Sequence, residues 1–393
     1  MKKIAVFLFT SIAMQSIGAQ SFIQAYKDRA DAVSQSNIIT NLQQFAALGI
    51  KTTGSQENAN ALNWLKEKYL SYGYTADQIV EDPFSFSVTN SKNLVITKQG
   101  TLYPNKYVII CGHFDSINGP GVNDNGSGTS IMLEAARILR TVSTEYSIKF
   151  IHFSGEEQGL KGSYHYANNV AYQGSTRVLD IKLVFNLDQV GGKMSNSTSN
   201  NVVYCDEDQG GLPGNNAAST AVTQQLRNCT ALYSPLQTEV DPAENTDYIP
   251  FEQKGEIITG FFERIRSNFP HSVDDTFANT DPVYIYKIGK ASVGALQHFA
   301  TALETLGTHE VTSKNSLEEL QIYPNPVKNT INLKLPDSKI KNFSFEITDF
   351  QGRLLLKTEN QTKVDVSNLE NGAYVGVLKT GDQIVVRKVL VAR

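Results

Sequence analysis

Three short apolar stretches end in acids or a histidine, residue types that together can hold a metal ion. His113 and Asp115 follow YVIICG, Glu156 and Glu157 follow KFIHFSG, and Asp188 closes KLVFNL. His113 and Asp115 are two apart, so on an extended backbone their side chains share a face. The carboxylate can then hold the far imidazole nitrogen while the near one binds a cation. Glu156 and Glu157 form a like-charged pair at the end of an apolar run, which is costly unless a cation or a shared proton relieves it. An unpaired Asp188 in the same setting is expensive for the same reason. Asp124 sits in GVNDNGSGTS, a Gly-rich turn ahead of a helical pattern, where Asp124 or Asn125 could simply cap the helix. His271, in FPHSVDDT, precedes Asp274 and Asp275, so a carboxylate is again at hand for its second nitrogen.

Each residue alone has an ordinary explanation: a solvated loop pair, a helix cap, a surface histidine. Their common position is what argues for chemistry. In an open α/β sheet the functional crevice lies outside the carboxyl ends of the strands, where residues far apart in sequence converge. Two imidazoles and three carboxylates suit two zinc ions that share a bridging aspartate and a water, each ion keeping an open position. No thiolate is among these donors, which argues against a closed structural zinc site. The glutamate left over is free to take a proton from the water.

The elements that must position these residues read as α/β, with a mixed, mainly parallel central sheet covered by helices. KYVIICG, SIKFIHFSG, DIKLVFNLD and GEIITGFFE are brief and dense in Val, Ile and Phe, as buried parallel strands are. Helical spacing of apolar residues predicts helices over 130–142 and, less cleanly, 282–306. From about Ser316 the pattern is all strand, with turns at Gln351-Gly352, Asn371-Gly372 and Thr380-Gly381-Asp382. Phe343, Phe345 and Ile347 alternate with polar residues, as in a sheet with one buried face.

The expected organisation is a signal peptide over 1–19, a large domain over 20–310, a linker over 311–316 and a small β-sandwich over 317–393. The first segment carries Lys2 and Lys3, an apolar run and small residues ending at Ala19. That run is too short to span a bilayer, and no later stretch approaches the roughly 20 apolar residues that spanning needs. With 40% hydrophobic residues and a net charge of −4, from 35 basic and 39 acidic residues, the chain is of globular type and offers no basic run for nucleic acid. Export permits a disulfide, and Cys205 with Cys229 is the expected pair; Cys111, in an apolar run, is expected to be a small core residue.

On GHFDS, GVNDNGSG, SGEEQGLKGS, NLDQVG and PHSVDDT, in that order, residues 30 to 305 resemble the two-zinc peptidase family that contains bacterial leucine aminopeptidases and glutamate carboxypeptidase II. The resemblance implies a zinc-peptidase, phosphorylase/hydrolase-like fold and hydrolysis at a free N-terminus. It implies that His113 and Asp188 bind one zinc, that Glu157 and His271 bind the other, and that Asp124 bridges them. Glu156 falls on the general base, and Asp115 and Asp275 fall on the positions that orient the histidines. The family's Ser-Asp-His-x-x-Phe segment is represented by TDYIPF, in which Asp247 and Phe251 match and Tyr248 replaces histidine; this puts the pocket's shape, and not the metal set, in question. Leucine or another apolar first residue is the substrate expected by resemblance.

Residues 317–393, through IYPNPVKNT, DFQGR, VDVSNLENGAYVGVLKT and a basic last strand, resemble a type IX secretion sorting domain. That implies delivery across the outer membrane by the type IX machinery, frequent removal of the domain and no part in catalysis. Two rival readings are a glutaminyl cyclase, which shares the fold and several ligands but uses one zinc, and a peptidase-like binding protein without activity. Glu156-Glu157 followed by QGLKGS, and the completeness of the ligand set, favour the peptidase.

Overall fold

The computed structural model describes residues 20–193, 200–210, 214–303, 321–335, 340, 342–349, 353–380 and 383–393. The expected signal peptide and linker lie outside the described residues. The chain divides into two compact units, Met1–Glu304 and Thr305–Arg393.

The first unit opens with three helices, α1 (Gln24–Asp31), α2 (Gln35–Ala47) and α3 (Gln56–Ser71). Ser34 and Ser55 cap the last two by accepting from the backbone N–H of Asn37 and Asn58. The strands that follow are β1 (Ile79–Phe86), β2 (Thr89–Lys98), β3 (Tyr103–His113) and β4 (Tyr146–Phe153), with α4 (Gly126–Leu139) between the last two. Next come α5 (Lys161–His165), a short hairpin of β5 (Tyr172–Gln173) and β6 (Thr176–Arg177), then β7 (Asp180–Leu187), β8 (Val202–Glu207) and α6 (Asn216–Tyr233). The unit closes with β9 (Gln237–Pro242), α7 (Ile249–Glu252), β10 (Ile258–Glu263) and α8 (Pro282–Phe299).

Eight of these strands form one mixed sheet in the order β1-β2-β4-β3-β7-β10-β8-β9. Its middle, β4-β3-β7-β10, is parallel throughout, so four carboxyl ends share one edge. Alternate residues of β3 enter different cores. Val108 and Ile110 pack with the helices α1 to α4, α6 and α8, while Ile109 and Cys111 pack with Tyr166, Tyr248 and Phe251 on the opposite face. Burial of both faces is why these strands read as continuous apolar runs.

Two expectations are corrected here. The helix expected over 282–306 ends at Phe299, because the backbone beyond it pairs with the segment before β4: Tyr146 N–H donates to Ala300 O at 3.2 Å, and Leu303 N–H donates to Ser143 O at 2.8 Å. Cys205 and Cys229 are free rather than bonded, as is Cys111. Cys205 faces the core from β8 and Cys229 from α6, each serving as a small apolar side chain. Burial pushes the Cys229 thiol up to about 12. Cys111 is a core residue, as expected, with its thiol against Asn186 Oδ1 at 3.3 Å.

The second unit holds a three-stranded and a four-stranded antiparallel sheet. The first is β11 (Gln321–Tyr323), β12 (Thr330–Lys334) and β15 (Lys363–Asp365); the second has the order β14-β13-β16-β17, namely Leu354–Glu359, Ser344–Thr348, Gly372–Thr380 and Gln383–Val391. Ile331 and Leu333 from one sheet meet Phe345, Ile347 and Leu378 from the other in a shared core. This is the alternation read from the sequence.

Candidate metal centre

The parallel edge of the sheet gathers the predicted residues. His113 is the last residue of β3 and is fully buried. Its Nε2 lies 3.1 Å from Asp124 Oδ1 and 3.3 Å from Asp188 Oδ1. Asp188 follows β7, and its other oxygen accepts a 2.6 Å hydrogen bond from Thr246 Oγ1. Across Asp124, His271 Nε2 lies 3.2 Å from Asp124 Oδ2 and 2.9 Å from Glu157 Oε2. Donor atoms of His113, Asp124 and Asp188 lie within 4.8 Å of one another, as do those of Asp124, Glu157 and His271. Asp124 belongs to both groups.

Backbone geometry makes this approach feasible. A Cβ on Gly112 or Gly128 would stand 2.6 or 2.5 Å from the Leu187 carbonyl oxygen, so only glycine lets the ends of β3, β7 and the start of α4 meet there. Asn125 Nδ2 also donates to that oxygen at 2.8 Å, while its Oδ1 caps α4 by accepting from Gly128 N–H at 3.0 Å. The cap is therefore Asn125, which leaves the Asp124 carboxylate for the centre. His271 holds the left-handed region at φ 57°, a conformation rarely kept by a non-glycine residue without cause.

The two orienting aspartates act differently from expectation. His113 Nδ1 faces the backbone carbonyl of Asp115 at 3.2 Å, whereas the Asp115 carboxylate is 3.7 Å away. That carboxylate instead accepts from Glu156 N–H and Glu157 N–H, both at 3.3 Å, and from Thr53 Oγ1 at 3.1 Å. It fixes the Glu156-Glu157 turn. Asp275 accepts from Asn123 N–H at 2.8 Å and Asp124 N–H at 3.0 Å, holding the Asp124 loop rather than the His271 ring.

Electrostatics fit a site made for cations. Burial pushes Glu156 up to about 10 and Glu157 up to about 8, with nearby carboxylates adding to both. Burial would also raise Asp124, but hydrogen bonds with His113 and His271 draw it down to about 2. The hydrogen bond to Asp124 holds His271 up at about 9. Burial would depress His113, yet Asp188, Glu156 and Asp124 keep it well above the usual histidine range. Acids forced to share a buried space, with imidazoles between them, are the donor set that divalent cations relieve. The nitrogen and carboxylate chemistry suits zinc.

A cavity of about 310 Å³ opens over both groups and is lined by Asp124, Glu156, Glu157, Asp188 and His271, with Gln189, Glu244, Asn245, Thr246, Phe262 and Arg266 as further walls. Tyr248, at the position of the family's histidine, is fully buried and does not line it. Its hydroxyl donates to Asp206 Oδ2 at 2.8 Å and accepts from Glu244 N–H at 2.6 Å, so it holds the pocket wall from behind. Sequence reasoning missed Glu263. This buried acid accepts from Asn123 Nδ2 at 3.0 Å, Gly192 N–H at 2.5 Å and Ser267 N–H at 2.6 Å, tying three site loops together. It ends β10 as Asp188 follows β7, and the strand-end rule applied to GEIITGFFE finds it.

Residues 93–295 match the model of peptidase family M28. The chain belongs to that family. Residues 321–392 match the secretion system C-terminal sorting domain. Among curated relatives, the aminopeptidase YwaD of Bacillus subtilis is 29% identical over 244 residues, covering 61% of this chain and 47% of its own length. A probable zinc metalloprotease of Pyricularia oryzae is 29% identical over 229 residues, covering 51% and 44%. The chain thus spans less than half the length of either. Of solved structures, the LapA aminopeptidase of Legionella pneumophila superposes with a TM-score of 0.63 at 18% identity, over 77% of this chain and 81% of that one, a likeness of fold. Among the described residues no helix is long and apolar enough to cross a membrane.

Proposed function

We propose that this chain is a secreted aminopeptidase that removes N-terminal residues from peptides, using two zinc ions. One would be held by His113, Asp124 and Asp188, the other by Asp124, Glu157 and His271. The observation that carries this reading is Asp124, whose Oδ1 faces one imidazole and Oδ2 the other. A second complete donor group also favours a peptidase over a glutaminyl cyclase, which needs one ion. The aminopeptidase and zinc metalloprotease names of the curated relatives point the same way.

Zinc, when bound, supplies Lewis acidity to the scissile carbonyl and lowers the pKa of water toward about 7. Glu156, which lines the same cavity as donors of both groups, is assigned as general base: it takes a proton from the attacking water and returns it to the leaving amine. Asp115 fixes where Glu156 sits, through its N–H. Thr246 holds one oxygen of Asp188 and leaves the other toward His113. Delivery follows from the sorting domain, which would hand the exported chain to the type IX machinery.

The test is Glu156→Gln. Zinc content should stay near two per chain while kcat for a leucyl anilide falls by about 10²–10⁴, the usual worth of a general base. Full turnover in a zinc-loaded variant removes Glu156 from that role.

A further inference from the structure

We propose that Arg266 receives a carboxylate of the substrate, so that a substrate carrying a carboxylate within its reach is preferred over the neutral counterpart. This rests on the peptidase reading. Beyond the metal donors, the cavity wall is polar, and the one large apolar side chain lining it among the described residues, Phe262, is buried. The guanidinium of Arg266 covers that ring, with Cζ 4.5 Å from its centre. Among the described residues the cavity offers no open aromatic face to a leucine side chain.

The guanidinium is both fixed and unspent. Stacking on Phe262 and one ion pair, from Nη2 to Glu244, hold its plane. Glu244 is held in turn by Tyr248, whose hydroxyl accepts its N–H and donates to the buried Asp206. Ser267, the next residue after Arg266, is anchored by its N–H to Glu263. The side chain is 52% exposed, and only Nη2 has a partner among the described residues. The remaining N–H groups form a rigid donor edge at the cavity mouth, suited to a planar carboxylate. A cationic substrate side chain would have to compete with Arg266 for Glu244, whereas an anionic one finds donors that nothing else uses.

Two sources could supply that carboxylate: an acidic side chain on the first residue, or the C-terminus of a short peptide. The experiment uses the zinc-loaded full chain and its Arg266→Met and Arg266→Lys variants. It measures kcat/KM for glutamyl and leucyl anilides, and for the dipeptide Leu-Gly and its C-terminal amide. Ratios within one preparation are insensitive to the fraction folded. In the wild type, one acid of the two pairs should be favoured over its neutral partner. Arg266→Met should lower that ratio about tenfold and Arg266→Lys should restore part of it. A change confined to the anilides identifies the side chain as the source, and a change confined to the dipeptides identifies the C-terminus. Ratios that Arg266→Met leaves unchanged in both pairs overturn the proposal while leaving the peptidase reading intact. A zinc-loaded wild type that cleaves none of the four overturns both.

Discussion

Replacing Asp124 with Ala takes one donor atom from each group at once, because its two oxygens face different histidines. Under the bridged reading, Asp124→Ala should therefore lose both zinc ions, whereas His271→Ala should lose chiefly one. Metal analysis of dialysed protein checks this, and a count near two in Asp124→Ala would contradict the bridge. At the same scale, the residues that gather into the two groups were legible in the sequence, but the contacts of their neighbours were not. Asp115 stands two residues from His113, and spacing alone suggested that its carboxylate holds the ring. Its carbonyl faces the ring instead, and the carboxylate is taken by Glu156 N–H and Glu157 N–H. Those donors come from the end of a different strand, and no local pattern announces that meeting.

Strand ends were the most readable feature at the scale of elements, because burial of both faces writes an apolar run and the functional residue follows it. The end of α8 and the fate of Cys205 and Cys229 were less readable, since both depend on pairing and packing between distant segments. Tyr248 shows the same limit: a residue expected to shape the pocket sits behind it. Tyr248→Phe keeps the ring but leaves Asp206 Oδ2 and Glu244 N–H without their partner. The buried Asp206 and the half-buried Glu244 N–H each lose a hydrogen bond, so a loss of about 1–3 kcal/mol is expected in urea unfolding. KM should rise more than kcat falls, because the wall and not the base is loosened. Unchanged stability would show that the hydroxyl pair is dispensable.

A second element-scale device links α3 to β4. His152 is fully buried against the Tyr69 hydroxyl at 2.8 Å, and burial pushes its pKa down to about 3 from an ordinary 6.5. The folded state keeps His152 neutral while the unfolded chain takes up a proton below pH 6.5. Its contribution is thus full above 6.5 and is lost as the pH falls from there toward 3, at up to about 1.4 kcal/mol per pH unit. His152→Gln, which can still meet Tyr69, should flatten the stability profile between pH 6.5 and 4 by up to that slope. Parallel profiles for variant and wild type would mean that His152 carries none of the acid sensitivity.

For the whole molecule, the decisive fact is that, among the described residues, the donors, the cavity walls and the buried acids that brace them belong to the first compact unit. The second unit has its own closed core, in which Val327, Phe345 and Val389 are fully buried. Two independent cores predict two independent unfolding events and no catalytic debt of one unit to the other. A chain ending at residue 304 should then keep kcat/KM within about twofold of the full-length protein, a change of under about 0.5 kcal/mol in transition-state stabilisation. Surface delivery, if the sorting domain carries it, should vanish in cells that make only the short form. Fractionation of cells and medium, with the peptidase assay on each fraction, separates the two effects. A truncated protein that is folded and zinc-loaded yet inactive would show that the second unit contributes to the reaction.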